Sequence, residues 1–88
     1  MRKKILILGS SSFSGASLVN FLLNKKKYLV YGTFRRKKIK PYLPYKYNKN
    51  IKLYSEFQVD FLKSSKNIIK IIKKLKPDFI IDFASICM

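Results

Sequence analysis

An 88-residue chain with one cysteine and no histidine has room for one small domain at most, with no internal disulfide, no His-ligated metal and no His-based acid–base catalysis. Twenty Lys+Arg against four acids give a formal net charge of +16, which favours partners that carry phosphate, whether nucleic acid, anionic lipid or a nucleotide. Lys, Ile, Asn and Tyr, all with AT-rich codons, make up 39 of the 88 residues, so genome composition is one source of the lysines, and their scatter suits a solvated exterior. The single Cys87 fits a reducing, cytoplasmic setting, and with no histidine to activate it reads as a small buried residue rather than a nucleophile. The apolar run Ile5 to Leu8 behind "MRKK" is shorter than a signal-peptide core. No stretch approaches the ~18–20 apolar residues of a membrane span.

In chain order, residues 4–9 read as a buried strand of consecutive aliphatics ended by Gly9. The period then changes over residues 13–26. Leu18, Val19 and Leu22 share a face with Gly15, Asn20 and Asn24 fall on the other side, and lysines 25–27 sit at the helix end where the dipole favours cations. "YLVYGTF" (28–34) is a second strand. "RRKKIKPYLPYKYNKN" (35–50), with two prolines and little periodicity, reads as a loop of unusual length for a compact domain. A third strand lies within "IKLYSEFQVD" (51–60). Residues 65–76 form the clearest helix, with Ile68, Ile71, Ile72 and Leu75 in one stripe, Lys66, Lys70, Lys73 and Lys74 facing away, and Pro77 as the stop. "DFIIDFAS" (78–85) is the fourth strand, apolar apart from Asp82, which is a candidate functional residue or simply a solvated one.

The order β-α-β-loop-β-α-β, with strands apolar on both faces, predicts an α/β fold built on a parallel sheet. Right-handed crossovers place the strands 3-2-1-4, the N-terminal half of a Rossmann-type doubly wound sheet. In that frame Gly9, Ser12 and Gly15 form a Gly-x-x-Ser-x-x-Gly at the first strand-to-helix junction. Gly9 permits the sharp turn and Gly15 lets the helix pack closely on the strands. The amides at the helix start, at Phe13 and Ser14, point toward a pyrophosphate, with the helix dipole adding attraction. Spacing alone would also suit two ordinary glycines in a Ser-rich loop; position and period favour the phosphate turn. Where dinucleotide folds that prefer NAD place an acid at the end of the second strand, this chain has "GTFRR". The Arg35 guanidinium can grip a 2′-phosphate through paired hydrogen bonds, with Arg36 beside it, which points to NADP over NAD; Arg36-Lys37-Lys38 also reads as only a charged loop.

These stretches together resemble the N-terminal part of an extended short-chain dehydrogenase/reductase, in the NAD(P)-dependent sugar-nucleotide epimerase/dehydratase family. The resemblance covers nearly all 88 residues: "ILILGSSSFSGASLVNFLL", "VYGTFRR" and "VDFLKSSKNIIKIIKKLKPDFIIDFAS". "VYGTFRR" is particularly similar to the NADP-using nucleotide-sugar 4,6-dehydratases. The resemblance implies that Asp60-Phe61 borders the adenine and that Phe83-Ala84-Ser85 lies along the nicotinamide ribose and pyrophosphate. It implies a nucleotide-sugar substrate for the whole enzyme, homo-oligomers, and no membrane. Ser12 departs from the family's middle glycine; its hydroxyl can compensate by capping the helix or donating to a phosphate oxygen.

The family's catalytic tyrosine, lysine and Ser/Thr come well after the fourth strand, so the chain is read as a partial dinucleotide-binding domain over residues 1–88, with no second domain and no activity of its own. With the outer edge of its fourth strand uncovered it is expected to be poorly soluble or partly unfolded when isolated. Tyr-x-x-x-Lys does occur, as Tyr42/Lys46 and Tyr45/Lys49. That dyad needs both side chains on one helical face, and Pro44 with its surroundings opposes a helix there, so neither pair is assigned a catalytic role. Two other classes stay open: a stand-alone nucleotide-binding or regulatory module without catalysis, and a basic nucleic-acid-binding protein using tyrosines interleaved with lysines for stacking.

Overall fold

Ile5, Leu6, Ile7 and Leu8 are all buried, so the strand that carries them must be covered on both faces and flanked on both edges. That strand, β1 (Lys3–Leu8), pairs in parallel with β2 (Tyr28–Phe34) on one side and β4 (Phe79–Asp82) on the other, while β3 (Tyr54–Gln58) extends the sheet beyond β2. The strand order β3-β2-β1-β4 is the expected 3-2-1-4. The computed structural model describes residues 2–10, 13–34, 44–59 and 65–83.

Register sorts the side chains. Ile5 stands beside Val30 and Phe79, and Ile7 beside Gly32 and Ile81, so these residues share one face, with Tyr54 next to Val30. Helix α1 (Phe13–Lys25) covers that face with Ala16, Val19, Leu22 and Leu23. Lys4, Leu6 and Leu8 point the other way, as do Tyr31 and Phe57, whose rings stack with centroids 6.4 Å apart. Helix α2 (Ser65–Leu75) sits on this second side, where Lys4 Nζ donates to the Leu75 carbonyl at 3.1 Å. Its stripe Ile68, Ile71, Ile72 and Leu75 is half-buried, and Lys66, Lys70, Lys73 and Lys74 are exposed. On β4, Phe79 and Ile80 remain 50% and 48% exposed, so the outer strand is covered far less than β1.

The helices end on lysines in the left-handed region, Lys26 at φ 59° and Lys76 at φ 49°. Their amides close the last turns by donating to the Leu23 and Ile72 carbonyls at 3.2 and 2.9 Å. Glycine usually fills that position, so each lysine carries a strain of about 1 kcal/mol. Pro77 then bars continuation of α2, and Asp78 turns the chain into β4 by a two-way clamp. Lys4 N–H donates to Asp78 Oδ2 and Asp78 N–H donates to the Lys4 carbonyl, both at 2.8 Å.

The connection between β2 and β3 is more ordered than its composition suggests. It contains 3₁₀ turns at Pro44–Tyr47 and Ile51–Leu53, and Tyr45 is only 3% exposed within the core. Asn20 and Asn24, expected on the solvent side of α1, are its docking face. Asn48 Nδ2 donates to Asn20 Oδ1 at 2.8 Å and Asn24 Oδ1 at 3.0 Å, and Asn50 Nδ2 donates to the Leu23 carbonyl at 3.0 Å. Residues i and i+4 on a helix stand one above the other, so the two asparagines present a matched pair of acceptors. The remaining differences lie at element ends: Gly9 belongs to the turn rather than to β1, and β4 is shorter than residues 78–85.

Asn48→Ala removes these bonds, together with the one that Asn48 Oδ1 accepts from Asn50 N–H at 2.8 Å, and leaves α1 acceptors to water. It is expected to lower unfolding stability by about 1–2 kcal/mol, read from the midpoint of urea denaturation. A change below about 0.3 kcal/mol would show that the Asn48 bonds add nothing to the Tyr45 packing and the Asn50 contact that also hold the connection.

Candidate functional site

All four strands run in one direction, so their carboxyl ends, Leu8, Phe34, Gln58 and Asp82, lie along one edge of the sheet. Open parallel α/β sheets bind ligands outside that edge, where successive crossovers leave in opposite directions. Here the chain leaves β1 toward β2 and β3 and returns on the far side as β4, so the switch falls between β1 and β4.

At that point β1 runs into Gly9, whose φ of 83° is a conformation that side-chain-bearing residues rarely adopt. The turn is pinned to the neighbouring strand. Gly9 N–H donates to Thr33 Oγ1 at 3.1 Å, and Ser10 N–H donates to the Thr33 carbonyl at 2.9 Å. Helix α1 begins at Phe13, its first turn holds no acid, Ser14 is exposed there and Gly15 is buried. An anion outside this helix start meets the positive end of the dipole, with no acid in the helix's own first turn. The residues at hand therefore fit a phosphate-bearing ligand.

The remaining candidates follow the ends of β2, β3 and β4 in the sequence. Arg35 and Arg36 follow Phe34 directly, and Asp60 and Phe61 follow Val59, whose N–H donates to the Phe34 carbonyl at 2.8 Å. Phe83 is half-buried against the core and its N–H donates to the Leu8 carbonyl at 2.8 Å, bringing the end of β4 beside the glycine turn. Ser12, Arg35, Arg36, Asp60, Phe61, Ala84 and Ser85 lie outside the described residues, as do Tyr42 and Cys87. Asp82 is exposed at the last position of β4, in register with Leu8.

Residues 5–87 match the family model of the NAD-dependent epimerase/dehydratase family. The chain belongs to that family. The match takes in both the glycine turn and the end of β4, the two segments that meet at the switch point. Among solved structures, one described as "a putative epimerase from Burkholderia cenocepacia J2315" is similar over 93% of this chain, with a TM-score of 0.68 and 18% identity. At that identity the likeness is one of fold. The chain spans 25% of that structure's length. No curated protein matches the chain. Members of this family depend on a nicotinamide dinucleotide. Among the described residues no helix is long and apolar enough to cross a membrane, and no three His, Cys, Asp or Glu side chains gather as a metal site would need.

Sequence reasoning missed a polar cluster beneath the turn. Ser10 is fully buried, and its Oγ lies 2.8 Å from the Tyr54 hydroxyl, which is also 3.0 Å from Glu56 Oε2. The Tyr45 hydroxyl donates to the same carboxylate oxygen at 3.2 Å, and its ring meets that of Tyr54 with centroids 4.8 Å apart. Gly32 lies under the crossing, where a Cβ would collide with Ser10 and the Tyr54 hydroxyl. The signal available beforehand was Gly32 itself, since glycine inside a strand marks a close approach. Tyr45 belongs to one of the two Tyr-x-x-x-Lys spacings, yet its hydroxyl faces Glu56 while Lys49 is exposed beyond the end of the 3₁₀ turn.

Burial first, and then the Glu56 carboxylate, push the Tyr45 phenol up to about 12 from the ordinary 10.0. Burial likewise raises Tyr54 well above the usual phenol range. A raised folded value means that the native state keeps its proton where the unfolded chain has lost it. The contribution of Tyr45 to stability is thus complete below about pH 10 and declines as pH rises toward about 12. The stability advantage of the unsubstituted chain over Tyr45→Phe should shrink across that window, measured by denaturation at stepped pH. A constant difference would place the Tyr45 hydroxyl in water.

Proposed function

We propose that this chain forms the adenosine- and pyrophosphate-binding part of a sugar-nucleotide dehydratase or epimerase, with NADP(H) as the preferred dinucleotide. The observation that carries the reading is the pinned, left-handed Gly9 turn at the switch point of a 3-2-1-4 parallel sheet, leading into a helix start free of acids. Gly9, Ser10 and the amides of Phe13, Ser14 and Gly15 would border the pyrophosphate. Ser12 would cap the helix or donate to a phosphate oxygen. Arg35 and Arg36, immediately after β2, would take the 2′-phosphate as a charge-assisted pair that Lys could not reproduce in geometry. Asp60 and Phe61 would flank the adenine, and Phe83, Ala84 and Ser85 the ribose and pyrophosphate nearer the nicotinamide.

When bound, the dinucleotide supplies hydride acceptance and return at a hexose carbon of the nucleotide sugar. The work of this chain's residues is to bind and orient. Glycine turn and helix start neutralise phosphate charge, and the sheet edge fixes the direction in which the cofactor extends. Proton transfer in the whole enzyme, its sugar specificity and its assembly into homo-oligomers would rest on segments beyond the fourth strand, and the setting would be cytoplasmic.

Calorimetric titration with NADP+, NAD+ and a single-stranded oligonucleotide at low and high salt tests this. The expected result is saturable dinucleotide binding, tighter for NADP+. Arg35→Ala should weaken NADP+ by about tenfold or more while leaving NAD+ nearly unchanged. Equal losses for both would remove the 2′-phosphate role from Arg35. Oligonucleotide affinity that collapses with salt, beside no dinucleotide binding, would return the chain to the class of basic nucleic-acid binders.

A further inference from the structure

The polar cluster on the α1 side of the sheet lies outside every motif used in the cofactor reading, yet one end of it is in the turn at the centre of that reading. Among the described residues Ser10 has three polar contacts: its N–H donates to the Thr33 carbonyl, its Oγ is 3.2 Å from that carbonyl, and the same Oγ is 2.8 Å from the Tyr54 hydroxyl. The last of these spans the sheet from β3 to the end of β1, across β2. Only a residue without a Cβ permits it, and Gly32 is that residue. The tyrosine is in turn fixed from behind, by Glu56 at 3.0 Å and by the ring of Tyr45. Tyr45 belongs to the same connection that begins with Arg35 and Arg36.

We propose that Tyr54 is a positioning residue for dinucleotide binding, acting through Ser10 to hold the Gly9–Ser10 turn in its binding shape. The inference rests on the dinucleotide reading above and adds to it a side chain that need not touch the cofactor. Its physical basis is preorganisation: a turn already fixed before the ligand arrives spends less of the binding energy on ordering. Burial keeps the phenol protonated well past neutrality, so its one proton is always available to Ser10 or to Glu56. Because Tyr54, Glu56 and Tyr45 form one hydrogen-bonded chain, the turn and the β2–β3 connection share a common anchor on the sheet.

Tyr54→Phe in the 88-residue chain removes the oxygen and keeps the ring against Tyr45. It should speed hydrogen exchange of the Gly9 and Ser10 amides while leaving those of Ile5 and Ile7 unchanged, and it should weaken NADP+ and ADP-ribose by about three- to tenfold. Ser10→Ala should weaken both ligands similarly, and the double variant should add little to either single loss, since both remove the same contact. General loosening would instead raise exchange along the whole of β1. Unchanged affinity, unchanged exchange at the turn, exchange that rises throughout β1, or losses that simply add would each overturn the positioning role while leaving the dinucleotide reading in place. An unsubstituted chain that binds neither NADP+ nor ADP-ribose would overturn that reading, and this inference with it.

Discussion

Burying Ile5 to Leu8 on both faces of a single strand is the constraint on which the rest of the structure depends. Each such side chain contributes on the order of 1.5–3 kcal/mol when it leaves water, and β1 collects that gain only if a helix covers each side and a strand flanks each edge. The chain meets the demand by crossing α1 over one face and α2 over the other, with β2 and β4 as parallel neighbours. Parallel pairing then fixes the polarity of every strand. All four carboxyl ends share an edge.

The same constraint explains why the site is built from turns. The edge of a parallel sheet offers backbone groups rather than side chains, and the Gly9 turn uses them: its amide and that of Ser10 are anchored to Thr33, leaving the helix start directed outward. Charge suits this arrangement. A first helical turn without acids, in a chain of net charge +16, presents a positive field to phosphate both locally and at distance. Family membership and the structure thus agree on a dinucleotide-type frame.

Much of the frame was legible in the sequence because it obeys short-range rules. The switch from a run of aliphatics to a helical period at Gly9, the stripe of Ile68, Ile71, Ile72 and Leu75, and the stop at Pro77 each report local geometry directly. Alternating strands and helices then leave few topologies, and the observed order was among the expectations for that reason. What escaped notice depends on pairings distant in sequence. Asn48 meets Asn20 and Asn24 across 28 and 24 residues, and Tyr54 meets Ser10 across 44. No periodicity encodes such contacts, so Tyr45 and its surroundings looked like plain loop. Gly32, a glycine inside a β-rich run, carried a signal of close approach that went unread, and it names none of the groups that approach.

The candidate residues divide in the same way. Gly9, Ser14 and Gly15 could be assigned from position in the first βα unit and Phe83 from the family resemblance, and the structure puts them around the end of β1. The central claim is that this edge binds a nicotinamide dinucleotide, and the most direct measurement is residue-resolved amide NMR during titration with NADP+. The account predicts shifts concentrated at Gly9, Ser10, Phe13, Ser14 and Gly15, with Lys3, Lys26 and Asp78 at the opposite edge unmoved. Shifts spread evenly over the lysine-rich surface, or none at the turn, would contradict it.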